Sequence, residues 1–103
     1  MKTLKVNDID VLLDDYDWLR LCRYKWRVKV VSAHGKRKYI VRSKRVDGKS
    51  TTIYMHRVVM NCPEGMEVHH IEGNFWDNRK EKLEIMTSIV HTELHKIKGH
   101  VNG

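Results

Sequence analysis

One hairpin constrains this chain more than any other feature. In KYIVRSKRVDGKSTTIYM, residues 38–55, two runs containing β-branched residues and Tyr are separated by Asp47 and Gly48 alone. An Asp-Gly pair between such runs favours a two-residue turn, because both positions tolerate positive φ and the turn then matches the twist of its strands. Residues 38–46 and 49–55 are therefore expected to pair antiparallel. Upstream, KWRVKVV (25–31) alternates with period two: Lys25, Arg27 and Lys29 point one way, Trp26, Val28 and Val30 the other. With AHGKR (33–37) as a turn, this run supplies a third strand with a basic outer face. The expected unit is a three-stranded antiparallel sheet at the N-terminal side of an α+β domain.

That sheet would concentrate charge. The chain of 103 residues has a net charge of +7, yet eleven of its 20 Lys and Arg fall within 23–49 against one acid, Asp47, so the rest is net acidic. A patch of this kind favours a polyanion, most simply a nucleic-acid backbone, through Coulomb attraction and counterion release. Lys25, Arg27, Lys29, Arg42, Lys44 and Arg45 are the expected contacts to duplex DNA. The length suits one modest core rather than two, which makes residues 1–103 a single domain. No apolar run approaches the ~20 residues of a bilayer span, and MKTLKVNDID lacks the apolar core of a signal peptide, so a cytoplasmic protein with no membrane partner is expected. Cys22 and Cys62 have no CxxC spacing, which excludes a Cys-rich zinc site and leaves two reduced thiols.

The remaining elements are short. Residues 9–13 read as a strand, followed by an amphipathic helix carrying Tyr16, Trp18, Leu19 and Leu21, with Asp14 or Asp15 as its cap. YMHRVVMNC (54–62) reads as a helix burying Met55, Val58, Val59 and Cys62, stopped by Pro63 and Gly65. MEVHHI (66–71) and LEIMT (83–87) are expected to pair around a Gly/Asn/Asp-rich loop, in which Phe75 and Trp76 pack the ribbon against the domain. SIVHTELHKIK (88–98) is expected as a helix capped by Ser88 and ended by Gly99, ahead of a loose HVNG tail.

Four of the seven histidines lie between 68 and 95. His91 and His95, four apart on a helix, share one face, a spacing that lets two imidazoles reach one metal ion. His69 and His70, adjacent on a strand, face opposite ways, so one can join that pair while the other remains a free base. Imidazole suits the second role because its ordinary pKa near 6.5 leaves it partly neutral at working pH. His34, His56 and His100 are isolated in sequence and read as ordinary surface or core residues.

HHIEGNFWDNRKEKL and VHTELH resemble the HNH endonucleases, whose ββα-metal fold is a two-stranded ribbon, a loop and a helix around one divalent ion. The likeness covers 52 to about 96; TIYMHRVVMNCPEGMEVHHIEGN resembles the lead-in of phage and homing-type members, and VLLDDYDWLRLCRYKW is similar to the N-terminal stretch of that phage group. The resemblance implies a nuclease core over 52–96, beside the basic docking region over 1–50 read from the charge. It implies His70 as general base, Asn78 as the loop residue bracing it, and His69, His91 and His95 as metal ligands. The sequence differs from many homing members in carrying His69 where they often have Asp and His91 where they often have Asn. A nitrogen ligand set favours zinc, nickel or manganese over magnesium, although the family works with several divalent ions.

The function so implied is metal-dependent hydrolysis of DNA phosphodiester bonds, by nicking or double-strand cleavage, as a monomer or homodimer. Arg79, beside Asn78, is a candidate phosphate clamp, because its planar fork matches two oxygens. The alternative is a non-catalytic DNA-binding protein whose histidines hold a structural zinc, which would close all four ligand positions.

Overall fold

The computed structural model of the chain describes residues 1–31 and 37–87. These form a small α+β unit of seven strands in three antiparallel sheets, with two short helices. The first sheet is a hairpin that the sequence reading missed: β1 (Lys2–Val6) pairs with β2 (Ile9–Leu13), from Val6 opposite Ile9 to Lys2 opposite Leu13. Its turn is Asn7 and Asp8, with φ of 48° and 66°, a backbone that Asn and Asp tolerate better than most side chains. β1 is inconspicuous because only Leu4 and Val6 of KTLKV turn toward the core.

β3 (Arg27–Val30), β4 (Lys38–Val46) and β5 (Lys49–Tyr54) make a three-stranded sheet in that order. It stands in the middle of the chain, behind the first hairpin, rather than at the N-terminal side. Asp47 (φ 51°) and Gly48 (φ 77°) form the β4–β5 turn. Pairing with β3 ends at Arg27 opposite Val41, whereas pairing with β5 continues to Val46 opposite Lys49. The far end of β4 and β5 is thus a two-stranded ribbon, exposed at Ser43–Val46 and Lys49–Thr51. Most of the expected 33–37 turn lies outside the described residues.

α1 (Asp15–Leu21) buries Leu21 and Asp17 and packs Trp18 against the core, while Tyr16 and Leu19 are exposed, so only half of the expected apolar face faces inward. Asp14 occupies the N-cap position without capping; its carboxylate accepts the Lys80 backbone N–H at 3.0 Å. Asp15 pairs with the N-terminal amine at 2.9 Å. Asp17 accepts from Arg20 (3.1 Å) and Lys80 (2.6 Å), which ties the helix to a loop far along the chain. α2 (Met55–Met60) continues directly from β5 and buries Met55, His56 and Val59. It ends before Pro63, at Asn61 in the left-handed region (φ 49°), with the Cys62 N–H donating to Arg57 O at 3.0 Å.

β6 (Met66–His70) and β7 (Leu83–Thr87) form the third sheet, from Met66 opposite Thr87 to His70 opposite Leu83. One core, including Val11, Leu13, Leu21, Ile40, Met55 and Leu83, draws on all three sheets and both helices. Burying such side chains is the main favourable contribution to folding. The helix expected over 88–98, with Ser88 and Gly99 at its ends, and the HVNG tail lie outside the described residues. Among the described residues no helix is long and apolar enough to cross a membrane.

Asp17 is wholly buried, but the Arg20 and Lys80 side chains are 38% and 50% exposed. They regain water when the carboxylate is removed. Asp17→Ala is therefore expected to cost about 1–3 kcal/mol, less than breaking a pair in which both charges are buried. Urea unfolding at neutral pH measures this.

Candidate functional site

The β6–β7 ribbon separates the two adjacent histidines. His70 shares a face with Val68, Leu83 and Ile85, which pack on the core, whereas His69 shares the other face with Glu67, Glu84 and Met86. The loop between the strands opens with the Ile71 N–H on Lys82 O (3.0 Å) and the Gly73 N–H on His70 O (2.9 Å). Gly73 has φ of 75°, a region open to glycine at little cost. The loop then crosses to the first hairpin. Leu12 N–H donates to Trp76 O (2.8 Å) and Asn78 N–H donates to Leu12 O (2.9 Å), a parallel bridge centred on Asp77.

This bridge delivers the Asn78 side chain beneath His70. Asn78 is 1% exposed. Its Nδ2 reaches Phe75 O and Met55 Sδ, each at 3.5 Å, and its Oδ1 lies 2.8 Å from His70 Nε2. Carbonyl oxygen and thioether sulfur only accept, so the amide NH₂ faces them and Oδ1 faces the imidazole. An amide oxygen also only accepts. His70 Nε2 therefore carries the proton, and Nδ1 holds the lone pair. Burial lowers the pKa of His70, opposed by the hydrogen bond to Asn78 and the charge of Asp77. The ring is thus held neutral at neutral pH, with one defined nitrogen able to accept a proton.

Behind His70 stands a residue the sequence reading left among ordinary histidines. His56, 6% exposed, stacks on His70 with centroids 5.1 Å apart and on Tyr39 also at 5.1 Å, with Tyr54 edge-on at 5.9 Å. Burial, then the charges of His70 and Arg57, push its pKa down to about 3. Nothing local in YMHRVVM marks His56 as a neighbour of His70; α2 brings it there.

Arg79 departs from expectation. Its Nε and Nη2 donate to the two oxygens of Asp77 (2.8 and 2.7 Å), and Nη1 donates to Glu81 (3.0 Å). The Arg79 fork is engaged within its own loop, and the guanidinium holds Asp77 below the usual carboxylate range. The side chain expected as a phosphate clamp thus braces its own loop here. Phe75 packs against the core as expected, but Trp76 is 38% exposed.

The pleat divides the six expected DNA contacts. Arg27, Lys29 and Arg45 share the side of Tyr39 and Tyr54, and the Lys29 ammonium lies 5.8 Å from the Tyr54 ring. Arg42 and Lys44 occupy the opposite side, and the Arg42 guanidinium lies 3.9 Å from the Tyr24 ring. Lys25 is exposed just ahead of β3.

Of the expected metal ligands, His69 is on the ribbon, while His91 and His95 lie outside the described residues. Among the described residues no group of three His, Cys, Asp or Glu side chains is arranged to hold a metal. His69 nonetheless offers a nitrogen donor on the face that carries Glu67 and Glu84, a donor chemistry that suits a divalent cation. Comparisons with protein-family models, curated proteins and solved structures gave no match, so function is argued from this geometry.

A buried neutral histidine makes stability depend on pH. The native state keeps His56 neutral while the unfolded chain takes up a proton below its ordinary pKa of 6.5. Its contribution is fully present above about pH 6.5 and is lost as pH falls toward 3. Between pH 6.5 and about pH 5, wild type is expected to lose about 2 kcal/mol more than His56→Phe. Urea titrations of both proteins across that range check the slope.

Proposed function

We propose that the protein is a metal-dependent DNA endonuclease in which His70 is the general base. The observation that carries this reading is the His70–Asn78 pair: a neutral imidazole with a fixed tautomer, braced by a buried amide on a two-stranded ribbon. In this mechanism His70 Nδ1 takes the proton from a water attacking phosphorus, and the Asn78 carbonyl, hydrogen-bonded to Nε2–H, stabilises the imidazolium that forms. Asn78 also prevents the ring from turning, so no rotational freedom is lost on reaching the reactive geometry. The stack on His56 and Tyr39 holds the ring plane from behind.

A divalent ion (magnesium, manganese, nickel or zinc) bound by His69 with His91 and His95 would polarise a nonbridging oxygen and stabilise the departing 3′ oxygen. The products are then 5′-phosphate and 3′-hydroxyl ends. Arg27, Lys29 and Arg45, on the side of the sheet that leads through Tyr39 and His56 to His70, are the backbone contacts this reading favours.

Supercoiled plasmid incubated with metal-stripped protein and each ion in turn tests the reading. Conversion to open circle or linear DNA is expected, reduced about 10²- to 10⁴-fold by His70→Ala, the range that positioned proton transfer supplies. Asn78→Ala should lower the rate at saturating DNA while leaving DNA affinity unchanged. Binding without cleavage under every ion would replace this reading with a non-catalytic DNA-binding protein.

A further inference from the structure

We propose that the side of the sheet opposite His70 carries a phosphate-binding site, built by Arg23 and Arg42 around Tyr24 with Arg20 at its rim. The site is a cavity of about 300 Å³ lined by Arg20, Leu21, Arg23, Tyr24, Trp26, Arg42 and Val58. Because a water occupies roughly 30 Å³, there is room for a phosphate group and several waters. Trp26 is fixed by its indole N–H on Leu21 O at 2.8 Å. Arg20 is anchored by Asp17 and by donation to Val58 O at 3.0 Å.

The electrostatics call for an anion. The Arg42 guanidinium lies 3.9 Å from the Tyr24 ring centroid and 5.7 Å from that of Trp26, and the Arg23 guanidinium lies 5.2 Å from Tyr24. Two cations are thus gathered within about one Debye length, ~10 Å, of each other. Among the described residues neither has a carboxylate partner. Arg23 donates to the Tyr24 hydroxyl at 3.3 Å, and half-buried Arg42 donates no hydrogen bond to the described protein. The N–H groups of Arg42, and those of Arg23 other than the one donated to Tyr24, are thus available to a phosphate, which a guanidinium can bind with two parallel hydrogen bonds. The Tyr24 hydroxyl is held below its ordinary range by the hydrogen bond from Arg23, then by the charges of Arg23, Arg42 and Lys44. Among the described residues the one carboxylate bonded to a cation of this site is Asp17, on Arg20 at the rim.

The ligand group is a phosphate, which a DNA backbone and a free nucleotide both provide. The site does not depend on the nuclease reading, because the hydrogen-bond and ring partners of His70 and Asn78 are not among its residues. The full-length protein, labelled with ¹⁵N at arginine, is titrated at constant ionic strength with sodium phosphate, with adenosine 5′-monophosphate and with a short DNA duplex, while the arginine Nε–H signals are followed. Saturable shifts at Arg23 and Arg42 are expected with phosphate-bearing probes and not with chloride. Arg42→Lys, which keeps the charge but loses the fork, should weaken binding about tenfold or more. Tyr24→Phe, which keeps the ring, should bind.

The probes separate the sources. If the backbone is the ligand, Arg42→Ala lowers duplex affinity and flattens its salt dependence by about one phosphate. If the nucleotide is the ligand, the same variant loses the monophosphate and leaves duplex affinity unchanged. Shifts equal to those in chloride, or Arg42→Lys binding as well as wild type, would overturn the proposal. None of these outcomes bears on plasmid cleavage by His70.

Discussion

Two backbone hydrogen bonds, from Leu12 N–H to Trp76 O and from Asn78 N–H to Leu12 O, hold the arrangement around His70 together. The loop between β6 and β7 is polar and has few apolar side chains with which to anchor itself. The bridge gives it a fixed edge by making it, for one residue, an extra strand beside β2. Because Val11 and Leu13 on either side of Leu12 are fully buried, the anchoring strand cannot shift without opening the core. Asn78 inherits that rigidity. A buried amide with poorly satisfied donors would be costly, and its contacts with Phe75 O, Met55 Sδ and His70 leave its partners mutually dependent.

Charge completes the anchoring. Asp77 is 5% exposed, yet it meets both Nε and Nη2 of Arg79, a bidentate geometry strong enough to offset much of the cost of burying a carboxylate. Lys80 then reaches back to Asp17 through its ammonium and to Asp14 through its backbone N–H, and Lys82 pairs with Glu72 across the loop. A segment that sequence would describe as a solvated loop is in fact clamped at both ends and in the middle. Such pairing restricts the loop rather than adding greatly to global stability, since several of the partners remain exposed.

What could be read from the sequence was what local chemistry dictates. Asp47 and Gly48 specify a tight turn, the apolar run at 9–13 specifies a strand, and adjacency alone sends His69 and His70 to opposite faces. What could not be read depends on partners distant in the chain. Asp17 looks like one of several acids in DDYDW, and only Lys80 makes it a buried one. Arg79 has the right chemistry for a phosphate, but Asp77, two residues away, has first claim on its fork. His56 lacks any neighbouring histidine in sequence, and its stack with His70 exists because α2 follows β5 without a break. The hairpin of β1 and β2 lies between these cases: Asn7 and Asp8 are a legible turn signal, overlooked because β1 carries so little apolar surface.

The net charge of +7 is therefore not one surface. Along β4, Tyr39, Val41, Ser43 and Arg45 face one way, and Lys38, Ile40, Arg42 and Lys44 the other. A slip of one residue in pairing would exchange the two sets. The two-residue turn at Asp47 and Gly48 prevents that slip, because its positive φ values fix which residues of β4 and β5 oppose each other. An extended anion lying flat on the sheet can meet Arg27, Lys29 and Arg45, or it can meet Arg42 and Lys44, and reaching both requires it to pass over an edge. The turn that specifies the hairpin thus also decides which cations stand with His56 and His70, and which stand with Tyr24.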